Sequence, residues 1–149
     1  MEKSLIKIDV EAKDKYEAVI KTGELMLEND YIEERYIQAM VKTLDDFGPY
    51  IVITKGVAIP HARPDEGAKK SGFCILRLKN AVKFGNEDND PVKVLIGLSA
   101  LGNDEHLKNI QDVISLLDNE ENMNILLNGS LDDIYKILER LTIKSQEVK

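Results

Sequence analysis

The run Val92–Ser99 (VKVLIGLS) is the segment that most restricts the fold. It is apolar at nearly every position rather than at every second one, so a strand formed here has no face to offer water and is covered on both sides. Leu5–Val10 alternates instead. Ile6, Ile8 and Val10 fall on one side and Lys7 and Asp9 on the other, which predicts a half-buried strand. A strand buried twice needs helices above and below its sheet.

The rest of the chain supplies them. Asp14 followed by Glu17 predicts a capped helix running to about Leu27. Ile32, Tyr36, Ile37, Met40, Val41 and Leu44 recur at helical spacing and predict a second helix. Gly48-Pro49 reads as a turn, Tyr50–Thr54 as a strand, and Gly56, Pro60 and Pro64 limit any further strand to Val57–Ile59. Gly72–Leu78 is another strand, followed after an acidic loop at Gly85–Pro91 by Val92–Ser99. Asn103-Asp104-Glu105 caps a helix expected to turn Leu107, Ile110, Val113, Ile114 and Leu117 inward. A short helix near Met123–Leu127 stops at Gly129. Ser130 with Asp133 opens a last helix through about Leu141, and the polar tail from Thr142 is expected to fray. The order β-α-α-β-β-β-β-α-α-α predicts an α/β fold, a mixed sheet covered on both faces. The 149 residues suit one domain spanning 1–149, with an ordered core from about residue 5 to 141.

Composition removes several function classes. With 27 acidic against 20 basic residues the net charge is −7, and a nucleic-acid binder needs a basic stripe. Cys74 is the single cysteine and cannot close an internal disulfide. Met-Glu-Lys-Ser opens without an apolar signal core, and no apolar run approaches the ~18 residues of a membrane span. A cytoplasmic chain without membrane insertion is the expectation.

Two histidines remain, His61 and His106. His61 sits in Ala58-Ile59-Pro60-His61-Ala62-Arg63-Pro64. A lone histidine is ordinarily structural. Here Pro60 fixes the direction in which the chain leaves its strand, Ala62 leaves the ring approachable, and Arg63 brings a permanent cation suited to an anion. That setting resembles a nucleophile site. His106 falls in a helix first turn, where free N–H groups and the helix dipole favour anions and a neutral imidazole. It reads equally as a surface histidine or as a donor to a phosphate oxygen.

Other chemistries fit less well. There is no HxxxH or HExxH for zinc, so no metal is expected. Glu87-Asp88-Asn89-Asp90 lacks the glycine and final glutamate of a calcium loop and reads as a solvated turn. Cys74 lies in the apolar Gly-Phe-Cys-Ile-Leu and reads as a small hydrophobe, not as a thiol served by His61. No glycine-rich phosphate cradle is present, and no cofactor is expected.

The stretch DDFGPYIVITKGVAIPHARP (Asp45–Pro64) resembles the phosphorylatable-histidine signature of IIA components of the bacterial sugar phosphotransferase system, in the mannitol/fructose-type (type 2) superfamily. Asp46, Ile53, Val57, Ala58, Ile59, Pro60, His61 and Ala62 fit that pattern, and Thr54 departs from its Gly or Ala. The approach Gly-Pro-Tyr-Ile-Val-Ile and the continuation His-Ala-Arg-Pro look most like the ascorbate-type branch. Further similarity at Asp14–Ile20, Tyr36–Met40, Val82–Gly85 and His106-Leu107 extends it over about Leu5 to Leu141. Mannitol-type members carry a supporting arginine after the second helix. Here Leu44-Asp45-Asp46 stands there, so that role is absent or taken by Arg63.

The resemblance implies a three-layer α/β/α fold and a phosphotransferase acting through a phosphohistidine. It implies that the phosphocarrier HPr phosphorylates His61, which passes the group to a cysteine of a IIB component, itself serving a membrane IIC component that admits sugar. By the same analogy His106 hydrogen-bonds the phosphoryl oxygens, with Pro60, Ala62 and Arg63 as possible supporting residues. An alternative within the same fold is a regulatory IIA-like protein, phosphorylated at His61 but feeding no IIB. No helix-turn-helix segment is present to suggest direct action on DNA.

Overall fold

The structure, a computed structural model, describes residues 2–147, with side chains through Leu141. In chain order the strands and α-helices are β1 (Ile6–Val10), α1 (Lys15–Glu28), α2 (Glu34–Phe47), β2 (Val52–Thr54), β3 (Val57–Ala58), β4 (Gly72–Val82), β5 (Val92–Ser99), α3 (Asn103–Leu117), α4 (Glu120–Asn128) and α5 (Leu131–Glu147). The strands form one mixed sheet in the order β1-β4-β5-β3-β2. β1 runs parallel to β4 and β3 parallel to β5, while β4–β5 and β2–β3 are antiparallel.

Local chemistry accounts for the element boundaries. The Asp14 carboxylate accepts the Glu17 backbone N–H at 2.9 Å and caps α1. Ser130 and Asp133 cap α5: the Ser130 hydroxyl accepts from Asp133 N at 3.1 Å, and the Asp133 carboxylate lies 3.5 Å from Ser130 N. Gly102, rather than the three polar residues after it, occupies the N-cap of α3. Thr142–Glu147 contains no glycine or proline, and α5 extends to Glu147. Residues 148 and 149 of the expected tail lie outside the described residues.

β5 is buried along nearly its whole length, because it sits between two cores. Leu95 faces a core shared with α1, α2, Cys74, Leu76 and Leu78. Val94, Ile96 and Leu98 face the other, filled by Val113 and Leu116 of α3, Leu126 of α4 and Ile134, Ile137 and Leu138 of α5. The result is the three-layer α/β/α sandwich expected. Gly97 lets α1 lie close on the sheet: a Cβ there would stand 2.7 Å from Thr22 Cγ2 and 3.0 Å from Cys74 Sγ.

Two expected packings are corrected. Asp9 takes φ +57°, and the β1–β4 register slips between Lys7 and Val10. This bulge inserts a residue into the alternation, so Ile6 and Ile8 pack against the α3–α5 core while Val10 packs against the α1–α2 core. In α3, Leu107 and Ile114 do not turn inward; they are 57% and 56% exposed. Asn109 takes the inward position with Val113 and Leu116, because its amide donates to Ser99 O at 2.8 Å and Gly72 O at 3.3 Å, tying the helix to the ends of β5 and β4. That bond sets the rotation of α3 and leaves Leu107 and Ile114 outside. The acidic loop is also more than a solvated turn, since the Asp90 carboxylate accepts from Phe84 N and Gly85 N at 2.9 and 2.8 Å.

Candidate functional site

Parallel pairing of β3 with β5, Val57 opposite Val94 and Ala58 opposite Leu95, places the carboxyl ends of both strands at one edge of the sheet. Ligand sites in open α/β sheets form at such edges. The chain leaving β3 carries His61, and the chain leaving β5 enters α3 and carries His106 in its first turn. Two histidines distant in sequence therefore meet, with ring centroids 5.4 Å apart and planes tilted by 39°. Both rings are half-buried.

The backbone around His61 is fixed on several sides. Ile59 N donates to Ile51 O at 2.9 Å and Leu98 N donates to Pro60 O at 3.0 Å, continuing the sheet past the end of β3. Pro60 and Ala62 are both buried. The His61 Nδ1 lies 2.7 Å from Ile59 O. A carbonyl only accepts, so Nδ1 carries the proton and the lone pair of the neutral ring resides on Nε2.

His106 has its pKa lowered, first by burial and then by the charge of His61 nearby, so its imidazole stays neutral at physiological pH. Its backbone N–H closes the first helical bond to Gly102 O at 3.1 Å. Gly102 has no side chain to cap the turn ahead of it, and such turns favour anions. Leu101 beside this turn is 60% exposed, and Leu107 stands next to His106. Two exposed apolar side chains thus lie near His106 in sequence, Leu101 before α3 and Leu107 in its first turns.

Arg63 is placed differently from its neighbours. Its side chain is largely exposed, and its Nε donates to Glu66 at 2.9 Å with Asp65 at 3.7 Å. Asp45 and Asp46, in the position of the mannitol-type arginine, turn elsewhere: Asp45 accepts from the Tyr16 hydroxyl at 2.8 Å and Asp46 pairs with Lys42 at 3.7 Å. Cys74 is fully buried on the α1 side of the sheet, and burial pushes its thiol up to about 12, which removes it as a nucleophile. Among the described residues, no three His, Cys, Asp or Glu side chains gather to hold a metal, and no helix is long and apolar enough to cross a membrane.

One polar contributor is invisible in the sequence pattern. Tyr36 occupies an inward position of α2 and reads there as core, yet its hydroxyl accepts the Ala62 N–H at 3.0 Å and lies 2.7 Å from Leu98 O and 3.1 Å from Ala62 O. The available signal was the residue type itself, because a buried phenol must find partners. Burial pushes its pKa up to about 12, so the hydroxyl keeps its proton.

The α/β/α sandwich is the fold of sugar-phosphotransferase IIA domains. Residues 1–141 match the family described as phosphoenolpyruvate-dependent sugar phosphotransferase system, EIIA 2, and the chain belongs to that family. It is 40% identical over 126 residues to the ascorbate-specific PTS system EIIA component of Escherichia coli K12, covering 84% of this chain and 82% of that protein. The ascorbate-specific EIIA component of Salmonella typhimurium matches with the same identity and coverage. Among solved structures, the mannitol-specific cryptic phosphotransferase enzyme IIA of Escherichia coli superposes with a TM-score of 0.82 at 40% identity, over 92% of this chain and 93% of that one. The Escherichia coli mannitol enzyme IIA in complex with phosphorylated enzyme IIB superposes with a TM-score of 0.81 at 26% identity, over 93% and 96%. The family is one of phosphotransfer components.

Proposed function

We propose that this chain is a cytoplasmic IIA component, one domain, that takes a phosphoryl group from phospho-HPr onto His61 Nε2 and delivers it to a cysteine of a IIB component. The observation carrying this reading is the Nδ1–H bond to Ile59 O, which leaves the lone pair on Nε2 of a ring whose centroid lies 5.4 Å from that of His106. In the first step Nε2 attacks phosphorus, the P–N bond to the donor histidine breaks, and its electron pair returns to the donor ring. The phosphorylated His61 ring carries positive charge, which the Nδ1–H···O=C bond stabilises. In the second step the IIB thiolate attacks phosphorus and the P–Nε2 bond breaks, restoring the ring. Little covalent chemistry falls to the protein, so positioning and charge stabilisation dominate. His106, neutral, donates a ring proton to a phosphoryl oxygen; Pro60 and Ala62 fix and open the approach. Arg63, tied to Glu66, acts at most as a distant cation.

IIB in turn serves a membrane IIC component, and the sugar is chosen by those partners. The ascorbate-specific relatives support an ascorbate-type IIB as the first partner to test, and the cryptic mannitol enzyme makes a mannitol-type IIB the second. Incubation with phosphoenolpyruvate and the upstream relay should give an acid-labile label that is lost in His61→Ala and chased onto one of these IIB proteins. A label that passes to no IIB favours the regulatory alternative.

A further inference from the structure

We infer that Tyr36 is a positioning residue for His61, its hydroxyl locking Ala62 to the end of β5 so that the ring holds the Nδ1–H form with Nε2 facing His106. This rests on the reading of His61 as phosphoryl acceptor. Segment 59–62 is held at Ile59 by Ile51 O and at Pro60 by Leu98 N, both backbone bonds. Beyond the ring, among the described residues, the anchor is a side chain: the Tyr36 hydroxyl takes the Ala62 N–H at 3.0 Å and reaches Leu98 O at 2.7 Å. Leu98 thus holds the segment twice, through its N–H at Pro60 and through its carbonyl by way of Tyr36. The His61 ring, set between these anchors, returns its own Nδ1–H to Ile59 O at 2.7 Å. That last bond is short only while Ile59 and His61 keep their relative placement. The start of α2 is bound to the same strap farther on, where Glu33 N donates to Gly67 O at 2.8 Å, so the Tyr36 Cα stays put when its hydroxyl is removed.

The test is Tyr36→Phe, with Leu25→Ala as a control for general loss of stability. Leu25 is buried in α1 beside Leu76 and Val10, at the β1–β4 side of the sheet and away from β3. Two readouts are taken: the 15N shifts of the His61 ring, which report the tautomer without any phosphotransfer, and the single-turnover rate of phosphorylation by phospho-HPr at saturating donor. Tyr36→Phe should lose the pure Nδ1–H pattern and slow transfer by roughly 10- to 100-fold, with the half-saturating donor concentration unchanged, while Leu25→Ala keeps both. Wild-type 15N shifts in folded Tyr36→Phe, or a rate loss no greater than that of Leu25→Ala, overturns the inference. Failure of the wild-type protein to be labelled at His61 would instead remove the acceptor reading and leave the tautomer result standing.

Discussion

The imidazoles of His61 and His106 face each other at 5.4 Å, one on the strand-end of β3 and the other in the first turn of α3. The spacing puts the two rings in contact. It also makes two positive charges there unfavourable, which, after burial, is the second cause of the lowered His106 pKa. Neutral His106 keeps one ring N–H, a donor suited to an anion.

A titration follows from this. Free His106 should titrate below 6.5, and phosphorylation of His61 should raise its pKa, because a phosphoryl anion then stands beside it. The sign for stability is set by the same shift. The unfolded chain takes up the His106 proton near 6.5 and the folded chain only at lower pH, so His106 costs stability as pH falls from about 6.5 through its folded pKa. His106→Asn should flatten that part of the profile in urea unfolding between pH 7.5 and 5.5. Two-dimensional NMR of the imidazole signals checks both; an unmoved His106 pKa on phosphorylation contradicts the pairing.

Leu101 and Leu107, which flank His106 in sequence, are exposed at no benefit to the core. Leu107→Asp is expected to change stability by no more than about 0.5 kcal/mol, as for exposed sites in general. The same change should raise the half-saturating concentration of HPr or IIB by roughly tenfold, since one centrally placed apolar contact in a small interface is worth about 1–2 kcal/mol. Steady-state transfer kinetics with each partner separates the two effects.

Cys74 is inert while the chain is folded. Iodoacetamide should leave it unmodified in native protein and alkylate it in urea, and Cys74→Ala should retain phosphotransfer. Rapid native alkylation contradicts its burial.

Gly97→Ala is expected to destabilise by about 1–3 kcal/mol, because its new methyl meets Thr22 at 2.7 Å and the sulfurs of Cys74 and Met26 at 3.0 and 3.1 Å. Urea denaturation measures this. An unchanged midpoint would show that α1 can lift from the sheet without cost.

Much of this was legible in the residues. The doubly buried β5, the element order, the Asp14 and Ser130 caps and the two histidines follow from periodicity and local side-chain chemistry. The bulge at Asp9 was not, because an inserted residue in the left-handed region leaves the hydrophobic alternation of Leu5–Val10 unchanged on paper. Nor was the rotation of α3: Leu107 and Ile114 match the helical period as well as Val113 does, and only the Asn109 bonds to two strand ends select the inward face. Tyr36 read as core because periodicity reports that a side chain is buried, not that its hydroxyl reaches a segment folded against it from elsewhere in the chain. The meeting of His61 with His106 depends on the parallel β3–β5 pairing, which short strands do not encode locally.

The most direct test is the site of phosphorylation itself. Protein labelled with 15N in its histidine rings, phosphorylated by phosphoenolpyruvate through the upstream relay, should show phosphorus coupled to Nε2 of His61, with Nδ1 still protonated and no label in His61→Ala. Phosphorus on Nδ1, on His106, or retained in His61→Ala would contradict the account.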